Sequence, residues 1–475
     1  MMLGAVPLPA RAQSLRIVTY NIAADVNGVT TPKDELYTVL EAIGEQSIGG
    51  VLQPIDILAL EETTSNATTV APIVTALNSY YGAGTYAAST YQGTQSGGPT
   101  VGNGPNALVY NTKTVNLLLA GGVSGTPNKS AGVFRQVTRY KFQAIGASAA
   151  TSFYLYVSHM KSSSSGDDAV NQADRDAEAK LIRADVKTLG SGTSAIYVGD
   201  FNMDGSAEAA YQTLTASGVG QGIDPLNVPQ NNTENWNSAT YKAILTESST
   251  GISYRDDIQF ITADIYNGTA AAALRYVPGS FRAFGNNGTT AFGASVNKST
   301  NTALANLVGP ITGAQALAAL VTASDHLPVV VDYTVATPYN TWQIQHFTTA
   351  ELGSTKVSGD GADPDGDGIP NLLEYALNLD PKKPGTLGTP TVGQTTVSGQ
   401  QFLTLTYTRV LSATGITYSP QVSGDLGTWN GGTGYTVAVS TTNNADGVTQ
   451  TVVVRDTVPT TGANRRFARL AVSRP

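Results

Sequence analysis

The chain has 475 residues, only 13% of them charged, with a formal net charge of -8 and a pI near 5.0. This length exceeds what one hydrophobic core usually supports, so we expect two or more folding units. The acidic balance excludes a broad electrostatic grip on nucleic acid, although a local basic patch beside a metal can still hold a phosphate. The chain has no cysteine, which excludes disulfides and thiolate chemistry. No apolar run approaches the roughly 20 residues that a membrane span needs.

The first residues, MMLGAVPLPARAQS, combine a short apolar stretch with an Ala10-Arg11-Ala12 pattern that is typical of a signal-peptidase site. The basic n-region and the longer apolar region of a full export signal are missing from them. Residues 1–13 are therefore interpreted as the remnant of an export signal or as a disordered terminus, and secretion is expected.

From Leu15 to Tyr333, short apolar runs alternate with polar turns and amphipathic stretches. Strands are predicted at LRIVTYNI, DILALEE, NALVYN, FRQVTRYKF, SFYLYVSHMK, AIYVGDF, DIQFIT and HLPVVVDYTV. Helices are predicted at 33–45, 66–81, 167–189 and 206–216. Two Gly-, Asn- and Thr-rich stretches, 82–104 and 279–302, are predicted to be long loops. This order favours an α/β sandwich, with mixed sheets covered by helices, over an all-β fold.

After Tyr333 the composition changes. WQIQHFTTAEL predicts a short helix, and from residue 385 the chain is Thr/Val-rich with alternating polarity, which is typical of a small β-sandwich. We therefore predict four segments, namely the terminal residues 1–13, an α/β domain at 14–336, a linker at 337–384 and a β-rich module at 385–475.

Polar side chains follow several of the predicted strands. YVGDFNMDG places Asp200 and Asn202 directly after an apolar run; alone, this is an ordinary turn in which Asp204 or Ser206 caps the next helix. Five further clusters show the same pattern: Asn21 in VTYNI, Glu61 and Glu62 in ILALEET, His159 and Lys161 in YVSHMKS, Asp256 and Asp257 in RDDIQFIT, and Asp325 and His326 in SDHLPV. Because the chain has so few charged residues, six such clusters favour one shared site over six independent turns.

In this order the clusters resemble the endonuclease/exonuclease/phosphatase superfamily. These metal-dependent phosphoesterases include deoxyribonuclease-I-like enzymes, abasic-site endonucleases, inositol-phosphate phosphatases and sphingomyelinases. The resemblance covers residues 14–333, and GDFN and SDHLPV are its most specific parts. It implies a four-layered α/β sandwich of two packed sheets flanked by helices, with the site in loops at one edge of the sheets. It also makes 14–336 the catalytic domain.

The resemblance implies a role for each matching residue. Glu62 matches the metal-binding Glu of the family, Asn21 would help to hold the metal or the phosphate, and Asp325 would lie at or beside the metal. Asp200 would orient or deprotonate the attacking water. Asn202 would donate hydrogen bonds to the phosphorane-like transition state.

Two histidines complete the implied site. His326 would contact the phosphate or act as a base, with Asp257 holding its imidazole in one tautomer. His159 would serve as an acid or a phosphate ligand. Asp256 is the less favoured member of its pair. The carboxylate and amide ligands favour Mg²⁺ or Mn²⁺.

Basic residues near these clusters are candidates for contact with the substrate phosphate. On an extended strand Lys161 faces the same side as His159, where it could bind a non-bridging oxygen or be merely solvated. Arg135 and Arg139, in FRQVTRY, are weaker candidates for the same contact.

A second motif, DPDGDGIPNLLE, matches the EF-hand calcium loop. The predicted ligands are Asp363, Asp365, Asp367, Ile369 through its carbonyl, Asn371 and Glu374, with Gly368 at the sharp turn. The alternative is a metal-free acidic turn, but closely spaced carboxylates repel one another without a cation. Pro370 departs from the EF-hand pattern, and the loop is more similar to those of dockerin-like and thrombospondin-type linkers. We predict a hinge stabilised by Ca²⁺, without a catalytic part.

The leading hypothesis is a secreted, divalent-metal-dependent phosphodiesterase that acts on DNA or RNA, because HMKS resembles the bacterial extracellular nuclease branch. A phosphatase or sphingomyelinase on the same scaffold is the first alternative. The second is a non-catalytic extracellular binding protein in which the β-module matters most. There, Trp429 and Tyr435 could form a sugar platform, although core packing is favoured for both. We expect a monomer without a transmembrane segment.

Overall fold

The computed structural model describes residues 14–24, 32–48, 52–94, 104–145, 147, 151–162, 168–226, 235–247, 250–269, 272–352, 354–411, 413, 415–461 and 465–474. Its contacts divide the chain into a unit that spans Gln13–Val335 and a unit that contains Ala336–Pro475. The prediction for residues 1–13 lies outside the described residues. Within the described part of the chain, no helix combines the length and apolarity that a membrane crossing requires.

The 13–335 unit alternates strands with helices. Its strands are β1 (Ser14–Asn21), β2 (Ile57–Glu61), β3 (Tyr86–Ala88), β4 (Ala107–Asn111), β5 (Val115–Gly122), β6 (Thr138–Ala144), β7 (Ser152–His159), β8 (Ala195–Asp200), β9 (Gly222–Ile223), β10 (Asp257–Thr262), β11 (Leu274–Tyr276), β12 (Arg282–Ala283) and β13 (Val329–Val335). Its α-helices are α1 (Asp34–Glu45), α2 (Ala71–Tyr81), α3 (Asp168–Thr188), α4 (Ala209–Thr215), α5 (Ala263–Asn267) and α6 (Gly313–Ala323).

All eight predicted strands and all four predicted helices occur, with shifted ends. The helix predicted at 66–81 is divided, because Asn66–Val70 form a π-helical turn ahead of α2. The two long loops are wrong in part, since 82–104 contains β3 and 279–302 contains β12. Two longer elements were not predicted. β5 was missed because a register shift between Leu117 and Leu119 breaks its alternation of polar and apolar residues. The Ala-rich α6 was missed because it lacks a clear polar face, although a Thr312–Gln315 capping box marks its start.

Two mixed sheets form the centre of this unit. One has the strand order β11-β13-β1-β2-β4-β3, with β12 also paired to β13, and the other has the order β5-β6-β7-β8-β10-β9. Apolar residues from the facing sides of both sheets, such as Ile17, Ile57, Phe142 and Val198, form one buried cluster. The sheets therefore pack face to face.

Helices cover the two outer faces of the sheets. Leu40 of α1, Ile73 of α2 and Leu320 of α6 pack on the β1 sheet, and Ile182 of α3 and Leu214 of α4 pack on the β8 sheet. The layer order is therefore helix, sheet, sheet, helix. This is the mixed α/β arrangement that was predicted, and it leaves the sheet edges open for a site.

Two buried polar side chains connect the layers. Arg16 of β1 is fully buried and forms a two-pronged ion pair with Asp332 of β13, with N–O distances of 2.7 and 3.0 Å. Its Nη1 also donates to the carbonyls of Ile43 and Gln53. Gln259 of β10 donates across the interface to the carbonyls of Ile17 and Val329, each at 3.0 Å. These bonds hold β1, β10 and β13 in register, and those strands position the site.

The unit that contains Ala336–Pro475 begins with helices and continues with strands. Its helices are α7 (Pro338–His346), α8 (Thr349–Leu352), α9 (Thr355–Ser358) and α10 (Asn371–Leu377). Its strands are β14 (Thr391–Val397), β15 (Gln400–Val410), β16 (Thr417–Ser423), β17 (Asn430–Gly431), β18 (Thr436–Asn443), β19 (Thr449–Pro459) and β20 (Phe467–Ser473). They form sheets of order β14-β15-β19-β18 and β17-β16-β20, and both sheets share a core with α7 and α10.

Candidate functional site

The polar strand ends converge because of strand direction and register. β1 and β2 run parallel with Asn21 opposite Glu61, and β7 and β8 run parallel with His159 opposite Asp200. Parallel strands present their carboxyl ends at the same edge. β10 is antiparallel to β8 and begins at Asp257, which lies opposite Asp200. The two packed sheets therefore bring their polar ends to one place.

Unusual backbone conformations accompany these side chains. Glu62 and Asn202 both lie in the left-handed region, with φ of 56° and 52°, which costs free energy for residues other than Gly and is concentrated at functional sites. Gly199 has φ of 136°, and a Cβ there would lie 1.8 Å from the carbonyl oxygen of Ser158. Only glycine therefore fits directly before Asp200.

Asp200 is the centre of the hydrogen-bond network. Its Oδ1 accepts from the backbone and side-chain nitrogens of Asn202, at 3.1 and 2.6 Å. Its Oδ2 accepts from Nδ2 of Asn21 at 3.1 Å and lies 3.4 Å from Nε2 of His159 and 3.9 Å from Nε2 of His326. Burial raises its pKa to about 7, with Asp257 adding to the rise against the opposing charge of His326. A carboxyl group that titrates near neutrality can exchange protons there.

Asn21 and Asn202 both orient carboxylates in this structure. Nδ2 of Asn21 links Asp200 to Oε1 of Glu62, at 3.2 Å from the latter, and Oδ1 of Asn21 accepts from the backbone of Ala23. Nδ2 of Asn202 donates to Asp200 and to the carbonyl of Met160. The implied roles of Asn21 at the metal and of Asn202 at the transition state stay predictions.

His326 and Asp257 form a buried pair. Nδ1 of His326 lies 2.8 Å from Oδ2 of Asp257, and Ser324 holds the His326 backbone by accepting from its N–H at 3.1 Å. Burial alone lowers the pKa of His326, but the charge and hydrogen bond of Asp257, together with Asp200 and Asp325, raise it well above its usual value. The imidazole therefore favours the protonated form, with Nε2 directed towards Asp200.

His159 has the opposite electrostatic tendency. Burial, followed by the charges of Arg135 and His326, lowers its pKa well below the usual value. Its Nε2 lies 3.8 Å from Oε1 of Glu62, and its Nδ1 is buried without a hydrogen-bond partner among the described residues. A neutral imidazole beside two carboxylates can accept a proton or bind a cation, so the predicted role of His159 as an acid stays a prediction.

More carboxyl groups than basic groups are buried here. Glu61, Glu62, Asp200, Asp256 and Asp257 are each 0–7% exposed. Burial raises the pKa of Glu61 and Asp256 well above the usual range and, to a smaller extent, the pKa of Glu62. One oxygen each of Glu61 and Asp257 has no hydrogen-bond partner among the described residues. The site therefore fits a divalent cation, which would offset this charge.

Glu247 belongs to the site but was not predicted from the sequence. Its ligand atom lies within 4.8 Å of those of Asp325 and His326, because Glu247 and His326 form an isolated antiparallel bridge. Glu247 also shares a hydrogen bond with Asp256, and burial raises its pKa. Asp325 itself is exposed. Glu247 lies in a loop with no strand pattern, so nothing local indicated its position.

Two buried arginines hold the loops that follow β7 and β8. Nη1 of Arg135 donates to the carbonyls of His159 and Met160, at 3.2 and 3.1 Å. Nη1 of Arg175, on α3, donates to the carbonyl of Lys161 at 3.0 Å, and its Nε donates to Glu208 at 2.9 Å. Glu208 in turn accepts from the Asp204 backbone at 2.7 Å. The two loops are therefore joined behind the catalytic candidates.

The basic candidates differ from prediction in what they contact. β7 ends at His159, so the strand alternation used to place Lys161 stops before it, and Lys161 is partly buried with Nζ 3.2 Å from the Ser162 carbonyl. Arg139 pairs with Asp185 on α3 at 2.7 Å. The phosphate-contact roles of Lys161 and Arg135 stay predictions.

Comparisons with known proteins give only remote structural likenesses. No family model matches the chain, and no curated protein matches it. An endonuclease/exonuclease/phosphatase family protein from Bacteroides thetaiotaomicron is 16% identical, with 68% of this chain and 95% of that chain covered and a TM-score of 0.37. The human Nocturnin catalytic domain is 16% identical, with 68% and 94% covered and a TM-score of 0.40. D. rerio TDP2, complexed with single strand DNA product, is 12% identical, with 67% and 98% covered and a TM-score of 0.39. At such TM-scores these likenesses support no conclusion about the function of this chain.

The acidic loop of the 336–475 unit places one carboxylate oxygen each of Asp363, Asp365 and Asp367 within 4.8 Å of one another. Asp363 accepts from the backbone of Gly366, Asp367 and Gly368. One oxygen each of Asp365 and Glu374 is buried without a hydrogen-bond partner among the described residues. Burial, then the charges of the three aspartates, raises the pKa of Glu374 to about 8. These donors fit a hard cation.

Other predicted residues of this unit have defined environments. Asn371 donates Nδ2 to the carbonyls of Val357 and Gly359, each at 2.9 Å, and its role as a calcium ligand through Oδ1 stays a prediction. Tyr435 is 47% exposed, so core packing was wrong for it. Trp429 is partly buried, and the guanidinium of Arg469 lies 4.3 Å from its ring centroid. One face of that indole is therefore already covered.

The histidine pair makes a testable prediction about pH. In metal-free protein, the NMR titration of His326 should have a midpoint well above about 6.5, the usual value for histidine, and Asp257→Asn should lower that midpoint because it removes the charge that holds the proton. The raised pKa of His326 increases the free energy of unfolding. This contribution is complete below about pH 6.5 and is lost as pH rises through the midpoint of His326 in the folded protein.

The chain has three histidines, so the resonances can be assigned by single substitutions. Asp380→Asn, beside the partly exposed His346 at 3.5 Å, is the control and should leave the His326 midpoint unchanged. An unshifted His326 midpoint in Asp257→Asn would show that the pair is not electrostatically coupled.

Proposed function

We propose that the 13–335 unit is a divalent-metal-dependent phosphodiesterase. The observation that supports this most strongly is the convergence of Asn21, Glu62, Asp200, the His326–Asp257 pair and His159 at one edge of two packed sheets. Metal-dependent hydrolysis of a phosphodiester uses a cation, a proton acceptor for water and donors for the phosphoryl oxygens. This site has groups of all the required kinds.

Glu62 and Asp325 would hold the cation, with Asn21 beside them and Glu247 close to Asp325. Carboxylate and amide oxygens favour Mg²⁺ or Mn²⁺. One oxygen each of Glu61 and Asp257 accepts no hydrogen bond from the described residues, so a cation would offset carboxylate charge that hydrogen bonds leave uncompensated. The bound cation would supply charge stabilisation at the phosphoryl oxygens.

The protein side chains divide the proton chemistry between them. Asp200 accepts the proton of the attacking water, because its pKa is near neutrality and Asn202 fixes one of its oxygens. Protonated His326 donates a hydrogen bond from Nε2 to a phosphoryl oxygen, while Asp257 holds Nδ1. The leaving oxygen takes up its proton from solvent when the P–O bond breaks. His159 is neutral and lies between Glu62 and Asp200, where it binds phosphate or takes up a proton. Arg135 fixes the backbone on which His159 is carried.

Nucleic acid is the proposed substrate, and the HMKS motif at His159 is the reason for this preference. The net charge of -8 means that any grip on a polyanion must be local to the cation and the nearby basic groups. A phosphatase or a sphingomyelinase would use the same residues, so these alternatives are separated by substrate. The export-like first residues and the acidic loop support secretion as part of this proposal.

The acidic loop is proposed to bind Ca²⁺. Asp363, Asp365, Asp367, Glu374 and the carbonyl of Ile369 would hold the ion, and Asn371 could contribute only through Oδ1. Clustered carboxylates with buried, unpaired oxygens favour a hard cation over an empty turn. The ion would be structural, because no residue of the 13–335 site is needed to hold it.

The catalytic proposal predicts the effect of single isosteric substitutions. With Mg²⁺, the protein should cleave plasmid DNA or RNA, and Asp200→Asn or His326→Gln should lower kcat by about 10²- to 10⁴-fold. The first change removes the proton acceptor for water, and the second removes a charged hydrogen-bond donor to the phosphoryl group. Asp185→Asn, which changes a carboxylate paired with Arg139 outside the site, is the matched control. EDTA should abolish cleavage.

Sphingomyelin and inositol phosphates are tested in parallel. Cleavage of only one of these would replace nucleic acid as the substrate, and no cleavage of any substrate would favour a binding protein. Activity that survives EDTA and both site substitutions would show that the mechanism is wrong.

The loop clamp behind the site predicts a selective kinetic effect. Arg175→Met should lower kcat by about 10²-fold because loosening the loops misplaces His159 and Asp200. Arg183 lies on the same helix and binds the carbonyls of Thr213, Leu214, Ala216 and Val219, at the end of α4, so Arg183→Met should lower the melting temperature while kcat stays near wild type.

Glu208→Gln should add little to the kinetic defect of Arg175→Met, since both changes release the same contact. Equal kcat losses in Arg175→Met and Arg183→Met, measured well below their melting temperatures, would show that the clamp has no positioning role.

A further inference from the structure

The 336–475 unit has one hydrophobic core, and α10 lies in it. Leu372, Leu373, Tyr375, Ala376 and Leu377 of this helix are each 0–8% exposed. They pack in a single cluster with residues of both sheets, among them Leu405 of β15, Val452 of β19 and Leu470 of β20. Loss of α10 from this position would expose the interior of both sheets to water.

α10 cannot hold its own conformation. It has seven residues, and isolated helices of that length are not stable in water. Its N-cap is Pro370, which makes no side-chain capping bond. The helix therefore depends on its packing against the sheets and on the acidic loop that precedes it.

The acidic loop makes hydrogen bonds to the segments before and after α10. Glu374 lies in the first turn of α10, is 1% exposed, and has one oxygen without a hydrogen-bond partner among the described residues. Asp367 accepts from the backbone of Ile369, just before the helix, and of Gly385, just before the strands, each at 2.9 Å. The same loop thus touches the start of the helix and the start of the β-rich segment.

The residues that flank the loop extend this connection to the last strand. Asp360 forms a two-pronged ion pair with Arg474, at 2.7 and 2.9 Å, directly after β20. Leu372 donates its backbone N–H to the carbonyl of Asp360 at 3.1 Å. Displacement of the loop would therefore disturb α10, Gly385 and the end of β20 together.

Repulsion within the loop opposes this arrangement. Three aspartates lie within 4.8 Å of one another, and no lysine or arginine forms an ion pair with them among the described residues. Glu374 brings a fourth carboxyl group to the loop. Without a cation, repulsion favours opening of the loop, and the packing of α10 must then oppose it.

We infer that Ca²⁺ in the acidic loop determines whether the two sheets at residues 391–473 are folded. The inference rests on the calcium site proposed above and extends it from a local hinge to the fold of the whole 336–475 unit. Binding free energy at a site that forms only in the folded state is folding free energy. The cation stabilises the loop, the loop fixes α10, and α10 closes the core of the sheets.

Hydrogen exchange of the full-length chain, read by mass spectrometry of peptides, tests this inference. Exchange is compared in Ca²⁺ and in EGTA with Mg²⁺ held constant, so that the Mg²⁺ content of the 13–335 unit does not change. In EGTA, peptides from β15, β19 and β20 should exchange at least about tenfold faster, while peptides from β1 and β8 should be unchanged. Asp365→Asn should show the fast pattern even in Ca²⁺.

Asp425→Asn is the matched control, because Asp425 also accepts several backbone hydrogen bonds in a turn of the same unit but lies outside the loop. It should keep the Ca²⁺-dependent protection of wild type. The Tb³⁺ luminescence that Asp365→Asn removes reports occupancy of the loop, because the carboxylates of the 13–335 site are present in both proteins. We expect Asp365→Asn to bind one Tb³⁺ fewer per chain than wild type.

The outcomes separate the two claims. One bound Tb³⁺ fewer in Asp365→Asn, with equal strand protection in Ca²⁺ and EGTA, would overturn this inference and leave the calcium site intact. Equal numbers of bound Tb³⁺ in wild type and Asp365→Asn would overturn the calcium site and this inference with it.

Discussion

The structure of the 13–335 unit depends on how it accommodates buried negative charge at one edge of its two sheets. Glu61, Glu62, Asp200, Asp256 and Asp257 are buried there, and the buried guanidinium of Arg135 lowers the pKa of His159 beside them. Burial of like charges is costly unless protons or cations offset it. Burial raises the pKa values of Glu61, Glu62, Asp200 and Asp256, which favours protonation, and the proposed divalent cation would offset the remaining charge. The strand register, the left-handed Glu62 and Asn202 and the arginine clamps all position these carboxylates in spite of that cost.

Much of this arrangement was predictable because it depends on local patterns. Val- and Ile-rich runs predicted the eight strands, and polar residues at their ends, such as Asn21 and Asp200, predicted the site. Features that depend on distant contacts were not predictable. Glu247 reaches the site through pairing with His326, and Arg175 clamps two loops from a helix that reads as merely amphipathic. Lys161 was placed by a strand alternation that ends at His159, and Tyr435 was assigned to a core that it does not enter.

The same physical problem recurs in the 336–475 unit on a smaller scale. Asp363, Asp365, Asp367 and Glu374 cluster in a loop, and a seven-residue helix begins within it. In the first unit, rigid sheets hold the carboxylates in place. In the second, we infer that the carboxylates and their cation hold the helix that closes the core. A cation would therefore have a chemical use in the first unit and a structural use in the second, although oxygen ligands of the same kind would serve both.

The buried carboxylates at the sheet edge are proposed to form a divalent-cation site. Electron paramagnetic resonance of Mn²⁺ counts bound ions directly, and Glu62→Gln removes one ligand charge while keeping its shape. The acidic loop is present in both proteins, so the difference between them reports only the Glu62 site. We predict that wild type binds Mn²⁺ at one more site per chain than Glu62→Gln does. Equal numbers of bound Mn²⁺ in the two proteins would contradict the account.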